Sequence, residues 1–170
     1  MKDVSKLFFI IIFIGIIAAT GFTQTDYNSF TIDGKLYEVF EGSMDYYGDI
    51  YSETAIIVDL ELFSEDNIYI YFEMFIPEGN KRLVEGTYNY YFSSDKDYKP
   101  FTYCWGGVDI ELYGKEIYYE IIDGTVTVSV SGSGNNTIYT ITVDCNLVDE
   151  DNNSAGAIKG TYQGPLEWYD

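Results

Sequence analysis

The stretch from Asp123 to Leu147 leaves the chain least freedom. Val126, Val128 and Val130 alternate with Thr125, Thr127, Ser129 and Ser131, and G-S-G-N-N-T then interrupts the pattern. Beyond it Tyr139, Ile141, Val143, Cys145 and Leu147 alternate with Thr140, Thr142, Asp144 and Asn146. Successive side chains of a strand point to opposite faces, so each half has one apolar and one polar face. The Val and Thr residues suit a pleated, half-buried surface because they are branched at Cβ. The two halves predict a hairpin that is dry on one side and wet on the other.

The same reading extends along the chain. Asp33-Gly34 between short apolar runs predicts a hairpin over Phe30 to Glu41, and Gly42 to Tyr51 is expected as a loop with aromatic residues at its tip. From Ala55 to Phe63 the residues Ile56, Val58, Leu60 and Leu62 oppose Asp59 and Glu61, a half-buried strand. Ile68 to Ile76 is apolar or aromatic on both faces except at Glu73, and Pro77 ends it by removing a ladder donor. Further strands are expected at Val84 to Phe92, Phe101 to Leu112, Glu116 to Ile122 and Ala157 to Tyr162. Gly106-Gly107 marks a bulge or a close backbone approach. Sustained helical spacing is absent, so the fold class is all-β: a mainly antiparallel, up-and-down barrel of about eight to ten strands, with a β-sandwich as the alternative.

Ahead of these strands, Lys2 and Lys6 precede an unbroken apolar run from Leu7 to Ala19, and Ala18, Ala19 and Gly21 precede a cut expected near Thr23 or Gln24. That is the pattern of a secretory signal, and the run falls short of the roughly 20 residues that span a bilayer. Residues 1–23 are therefore expected to be a signal peptide and 24–170 a single barrel domain, secreted or held in the periplasm or at the cell exterior. A transmembrane barrel would need a lipid-facing apolar band, whereas the alternate faces carry Asp59, Glu61, Thr125, Thr127 and Asp144. The mature chain is expected not to span a membrane.

Nine Lys and Arg against 28 Asp and Glu give a net charge of −19. Phosphate backbones need clustered cations, so nucleic acid is excluded as a partner. The chain has no histidine, which removes the commonest general base and every Ser-His or Cys-His nucleophile pair. No catalytic residues, cofactor or metal are expected, and the protein is read as not an enzyme. Asp149-x-Asp151-x-Asn153 opens like a calcium loop, but Ser154 and Gly160 stand where an EF-hand requires Gly and Glu, so a polar turn is expected there. Two cysteines outside the cytoplasm usually pair, so a Cys104–Cys145 disulfide is expected, worth on the order of 4 kcal/mol, with two buried thiols as the alternative.

Four segments carry a resemblance: L-V-E-G-T-Y at Leu83 to Tyr88, G-G-V-D-I at Gly106 to Ile110, D-G-T-V-T-V at Asp123 to Val128, and I-K-G-T-Y-Q-G-P-L at Ile158 to Leu166. In these the chain resembles small secreted bacterial β-proteins of the calycin or lipocalin-like type. The resemblance implies a barrel-like fold; the Gly-x-Trp element that opens lipocalin barrels is absent from Phe30 to Glu41.

The feature that leans towards a function is the aromatic content, 18 Tyr, 11 Phe and 2 Trp, more than one face of a sheet buries. Rigid amphipathic rings make good contacts with sugars, small apolar ligands and proteins. If Ile68, Ile70, Phe72, Met74 and Ile76 face the core, Tyr69, Tyr71 and Phe75 form an outward row around Glu73. Gly86 to Tyr90 is the expected antiparallel neighbour, which would bring Tyr88 and Tyr90 beside that row; the alternative to an exposed patch is that the loop Gly42 to Tyr51 folds over it with Tyr46 and Tyr47 as the lid. Tyr69, Tyr71, Glu73, Tyr88, Tyr90 and Trp105 are thus the candidate ligand-binding residues. Two readings follow: a non-catalytic barrel binding a small apolar or carbohydrate ligand, and an extracellular module docking its aromatic face on another protein.

Overall fold

The strand that organises the fold is the second half of a hairpin and the first half of another. In a computed structural model, which describes residues 27–48, 54–64 and 68–169, the chain runs β1 (Ser29–Ile32), β2 (Lys35–Glu38), β3 (Glu41–Gly48), β4 (Ala55–Ser64), β5 (Ile68–Pro77), β6 (Gly86–Tyr90), β7 (Thr102–Leu112), β8 (Lys115–Ser131), β9 (Ile138–Val148), β10 (Ser154–Gly164) and β11 (Glu167–Tyr169). The expected signal peptide lies outside the described residues. The fold is all-β, one eleven-stranded sheet curled into a half-barrel.

β8 has 17 residues and shares its length between two neighbours on one side. Its first half pairs antiparallel with β7, from Leu112↔Lys115 to Gly107↔Glu120, and its second half with β6, from Asn89↔Thr125 to Gly86↔Val128. β6 is wedged where β7 leaves β8, and it runs parallel to β7 at Asn89↔Thr102 and Tyr90↔Tyr103. On its other side β8 pairs with β9, including Val126↔Val143, Val128↔Ile141 and Val130↔Tyr139, with a register shift between Ile121 and Asp123. The alternation of Asp123 to Leu147 is thus the dry and wet sides of a real hairpin: Val126, Val128, Ile141 and Val143 are buried. Both tight hairpins use left-handed residues at their centres, Asp33 (φ 46°) with Gly34 (φ 75°) and Tyr113 (φ 54°) with Gly114 (φ 74°). This is the geometry whose twist matches that of the flanking strands.

The sheet rolls up because the chain twice crosses from one end of the strand order to the other. Val39 and Phe40 join the terminal strand β2 to β3, and Pro165 and Leu166 join β10 to β11, which lies parallel on β3. Rolling buries one face as a continuous core, with Tyr88, Tyr103, Tyr162, Phe30 and Phe72 its largest wholly buried side chains. The buried phenols are satisfied: Tyr88 donates to the Val84 carbonyl at 2.9 Å, Tyr162 to the Pro165 carbonyl at 2.6 Å, and the Tyr103 hydroxyl lies 3.2 Å from Cys145 Sγ. At one rim Lys81 and Arg82 lie over the rings of Tyr46 and Trp168, each 5.4 Å from the ring centroid. A smaller apolar cluster sits on the opposite side of the sheet, where Tyr98 of the β6–β7 connection stacks on Phe75 at 4.3 Å above Ala55, Ile57 and Cys104.

Three expectations need correction. The segment expected as a loop from Gly42 is strand β3 as far as Gly48, paired with β4 from Glu41↔Phe63 to Gly48↔Ile57; Tyr51 lies outside the described residues. Gly86 to Tyr90 does not neighbour β5, whose partners are β4 and β7. The Cys104–Cys145 disulfide is not formed, because the two thiols lie on opposite faces of the sheet: Cys104 joins the outer cluster and Cys145 the core. Gly106-Gly107, in contrast, is a close approach as expected: a Cβ on Gly106 would lie 3.0 Å from the Phe72 ring, and one on Gly107 2.7 Å from the Tyr71 ring.

The seam between β1 and β10 offers a direct check. Gly160 pairs with Phe30, and a Cβ there would press on the Ser29 carbonyl and lie 2.7 Å from Phe30 Cα, where backbone cannot give way. Gly160→Ala is expected to cost about 1–3 kcal/mol through overpacking, read as a lower midpoint in urea denaturation; an unchanged midpoint would mean that the β1–β10 pairing tolerates a side chain there.

Candidate functional site

The outer surface of the sheet falls into two chemically distinct parts. Over β6, the second half of β8, β9 and β10 it is a carpet of hydroxyls and amides that bond one another, as in Thr87 with Thr127 (3.3 Å), Thr142 with Thr161 (3.2 Å) and Gln163 with Thr140 (3.2 Å). Its charges include an ion pair, Lys159 with Asp144 at 2.8 Å. Over β3, β4, β5 and β7, beside the small cluster under Tyr98, the outward positions are mostly carboxylates and aromatic rings, and these strands contain no Lys or Arg at all. Strand periodicity creates this second surface: with Ile68, Ile70, Phe72 and Met74 committed to the core, Tyr69, Tyr71 and Glu73 must point outward.

Register then places these groups side by side. Asp45 on β3, Asp59 on β4 and Glu73 on β5 are direct cross-strand partners, and Trp105 on β7 lies opposite Glu73. One step along, Ser43, Glu61, Tyr71 and Gly107 form the next row, and beyond it Phe63, Tyr69 and Asp109 form a third. Directly opposed side chains sit about 5 Å apart, and like charges so placed repel. Donors hold part of the cluster. Glu61 accepts from Ser43 Oγ at 3.0 Å and from the Tyr69 hydroxyl at 2.5 Å, and Cys104 Sγ donates to Glu73 at 3.4 Å. The Tyr47 hydroxyl bonds Asp59. Tyr71 lays its ring over Gly107 and shares a 3.2 Å hydroxyl contact with Tyr118. The Tyr69 and Tyr71 rings are 5.7 Å apart and inclined by 31°.

Burial and mutual repulsion push these carboxyls towards the neutral form. Asp59 rises from 3.8 to about 7, first because it is desolvated and then because Glu73, Glu61 and Asp45 face it. Desolvation also raises Asp45, Glu73 and Asp109. The thiols are inert by the same cause: burial pushes Cys104 up to about 12 and Cys145 up to about 11.

Of the candidate residues, Tyr69, Tyr71, Glu73 and Trp105 meet on this outer face, Trp105 well exposed at 48 %. Tyr88 and Tyr90 do not join them. Tyr88 is wholly buried and Tyr90 packs edge-on against the core residue Tyr103 at 5.6 Å, because β6 lies beside β8 rather than β5. Nor do Tyr46 and Tyr47 form a lid: Tyr46 packs against Trp168 at 5.9 Å, and Tyr47 belongs to the outer face. The sequence reading missed Asp45, Glu61 and Asp109; alternation marks their polar side, but only the register shows that they gather beside Asp59 and Glu73.

At the end of β5 next to Ile68 the face deepens into an open cleft of about 690 Å³, lined among others by Glu61, Phe63, Tyr69, Asp109, Glu111 and Glu116. The turn at Asp149 is a closed hydrogen-bonded loop: its carboxylate accepts from the backbone N–H groups of Asp151 (3.0 Å) and Asn153 (2.8 Å), which holds its pKa down. Among the described residues no group of three or more His, Cys, Asp or Glu is placed to hold a metal ion, and no helix is long and apolar enough to cross a membrane. Compared with known proteins, the chain matches no family model, no curated protein and no solved structure.

The carboxylate row makes stability pH-dependent with a definite sign. A carboxyl whose pKa is raised in the folded state binds its proton more tightly there than in the unfolded chain. The stabilisation is complete below the unfolded value and is lost as pH climbs through the folded one. For Asp59 that window runs from 3.8 to about 7. The melting temperature is expected to fall between about pH 4 and about pH 7, and Asp59→Asn should flatten the fall. Equal slopes in the two proteins would remove Asp59 as its source.

Proposed function

We propose that the protein is a non-catalytic, extracellular binding module whose working surface is the outer face of β4, β5 and β7, and whose occupant is another protein. One observation carries this reading: half of the outer surface gathers rings and carboxylates without a single basic residue on β3, β4, β5 or β7, while the other half satisfies its own hydroxyls. A surface that only needed solubility would intersperse the two signs. Tyr and Trp contribute contact area at low entropic cost, which favours them at interfaces. The resemblance to secreted calycin-like proteins and the signal-like leader support an extracellular setting. We place the binding surface outside the roll because Tyr88, Tyr103, Tyr162, Phe30 and Phe72 occupy its interior.

A carbohydrate is the second reading, favoured by the neighbouring Tyr69 and Tyr71 rings flanked by carboxylate acceptors. A thermal-shift panel of neutral oligosaccharides, a fatty acid and basic proteins separates these readings, since a ligand stabilises only a fold that binds it. Basic proteins are expected to raise the melting temperature of the wild type and to lose the effect in Tyr69→Ala with Tyr71→Ala. That double variant is expected to melt cooperatively at a moderately lower temperature, because the Tyr71 ring also covers Gly107. A fatty acid that stabilises both proteins equally would move the site to the interior; a double variant already unfolded at room temperature would make the rings part of the fold and end the outer-face reading.

A further inference from the structure

We propose that the cleft beside Ile68 is the anchor point of this face and takes an arginine or lysine side chain from a basic segment of the partner protein. The inference rests on the outer-face reading and names the chemistry of its occupant. The cleft floor is apolar, with Ile68 and Ile110 almost wholly buried beneath it, and the half-buried Phe63 and Tyr69 rings form part of its wall. Around these rings stand Glu61, Asp109, Glu111 and Glu116. Glu111 and Glu116 are direct cross-strand partners on β7 and β8, a like-charge pair that a native sheet ordinarily avoids.

A guanidinium or ammonium meets each demand of this site. Its N–H groups supply donors to carboxylates that outnumber the donors around them. Its charge relieves the repulsion between Glu111 and Glu116. Its flat or aliphatic part lies against an aromatic ring, whose negative face attracts a cation. Arginine fits better than lysine because its planar fork can engage two carboxylate oxygens at once. Glu61 is already oriented for this: Ser43 and Tyr69 hold its two oxygens from the β3 and β5 sides. A neutral sugar would find acceptors here but would leave the like charges unrelieved.

The test is calorimetric titration of the whole protein with a tetra-arginine peptide, acetylated and amidated so that its side chains carry the charge. The wild type is expected to bind, more weakly as salt is raised to about 150 mM, where charges are screened within about 8 Å. Asp109→Asn with Glu116→Gln is expected to weaken binding at least tenfold. Glu78→Gln with Glu85→Gln removes the same charge beyond the far end of β5, from exposed positions, and is expected to change it less than twofold. Phe63→Ala reports the ring: a severalfold loss is expected for the peptide with little change in salt dependence, and a melting curve confirms that the variant folds. Equal losses in the two charge-removal pairs would reduce the effect to net charge and overturn the cleft. Failure of the peptide to bind at low salt would overturn the cationic occupant, and the outer-face reading would then stand or fall separately on the thermal-shift panel.

Discussion

The pairing of β8 with two different strands along one edge is the constraint from which the rest of the structure follows. An ordinary hairpin strand keeps one neighbour on each side and lets the sheet grow flat and twisted. Here β7 leaves β8 after Glu120, and β6 takes its place from Thr125 onward. The vacated edge of β7 is capped by two parallel pairings to β6, at Thr102 and Tyr103. A sheet that exchanges partners in mid-strand must bend there, and bulges sharpen such bends. The irregularity between Ile121 and Asp123 in β8 and that between Glu73 and Met74 in β5 lie near this exchange. The resulting roll buries a core against itself, and among the described residues no α-helix covers it.

The two outer halves then follow from what each strand can spare. β8, β9 and β10 read apolar-in and hydroxyl-out, so their outward groups bond across strands and are satisfied locally. β5 gives all its aliphatic residues to the core and has only Tyr, Tyr, Glu and Phe left for the outside. Its neighbour β4 contributes Asp59 and Glu61 at the matching positions. Folding therefore brings like charges together without neutralising them, at a cost that raised carboxyl pKa values and the donors Ser43, Tyr47 and Tyr69 only partly offset. Natural proteins tolerate such local cost most readily where a surface has work to do.

Much of the architecture was legible in the sequence because alternation reports which way a side chain faces. β4, β5, β8 and β9 were all marked by that signal, as were the Asp33-Gly34 turn and the close approach at Gly106-Gly107. Alternation does not report which strand lies alongside, and the misplacement of Gly86 to Tyr90 and of β3 came from there. Gly86 to Tyr90 follows β5 in sequence, but it pairs with β8 some forty residues later, so Tyr88 faces the core instead of the aromatic row. β3 carries Gly, Ser and Asp, residues of turns, and becomes a strand because β4 and β11 flank it on both sides. The cysteines failed for a finer reason. The register shift in the β5–β7 pair turns both Cys104 and Trp105 to the outer side, a bulge that no periodicity announces. The partial site legible in the sequence, Tyr69, Tyr71, Glu73 and Trp105, consists of residues whose facing alone decided their fate.

Hydrogen-bonding capacity narrows what can meet the acidic half. A carboxylate only accepts, and a tyrosine hydroxyl that donates to one has spent its proton. On this face Tyr69 donates to Glu61, Tyr47 is bonded to Asp59, and the Tyr71 and Tyr118 hydroxyls face each other. The surface thus holds many acceptor positions, and no lysine or arginine on β3, β4, β5 or β7 supplies further donors to them. An apolar surface laid on it would strand those acceptors away from water, at about 1–3 kcal/mol for each group left unsatisfied and more where it is charged. A second acidic surface would add repulsion to desolvation. What remains is an occupant rich in donors, and among proteins that means a basic one, whose charge is complementary to a chain carrying −19 and would be steered towards it before contact.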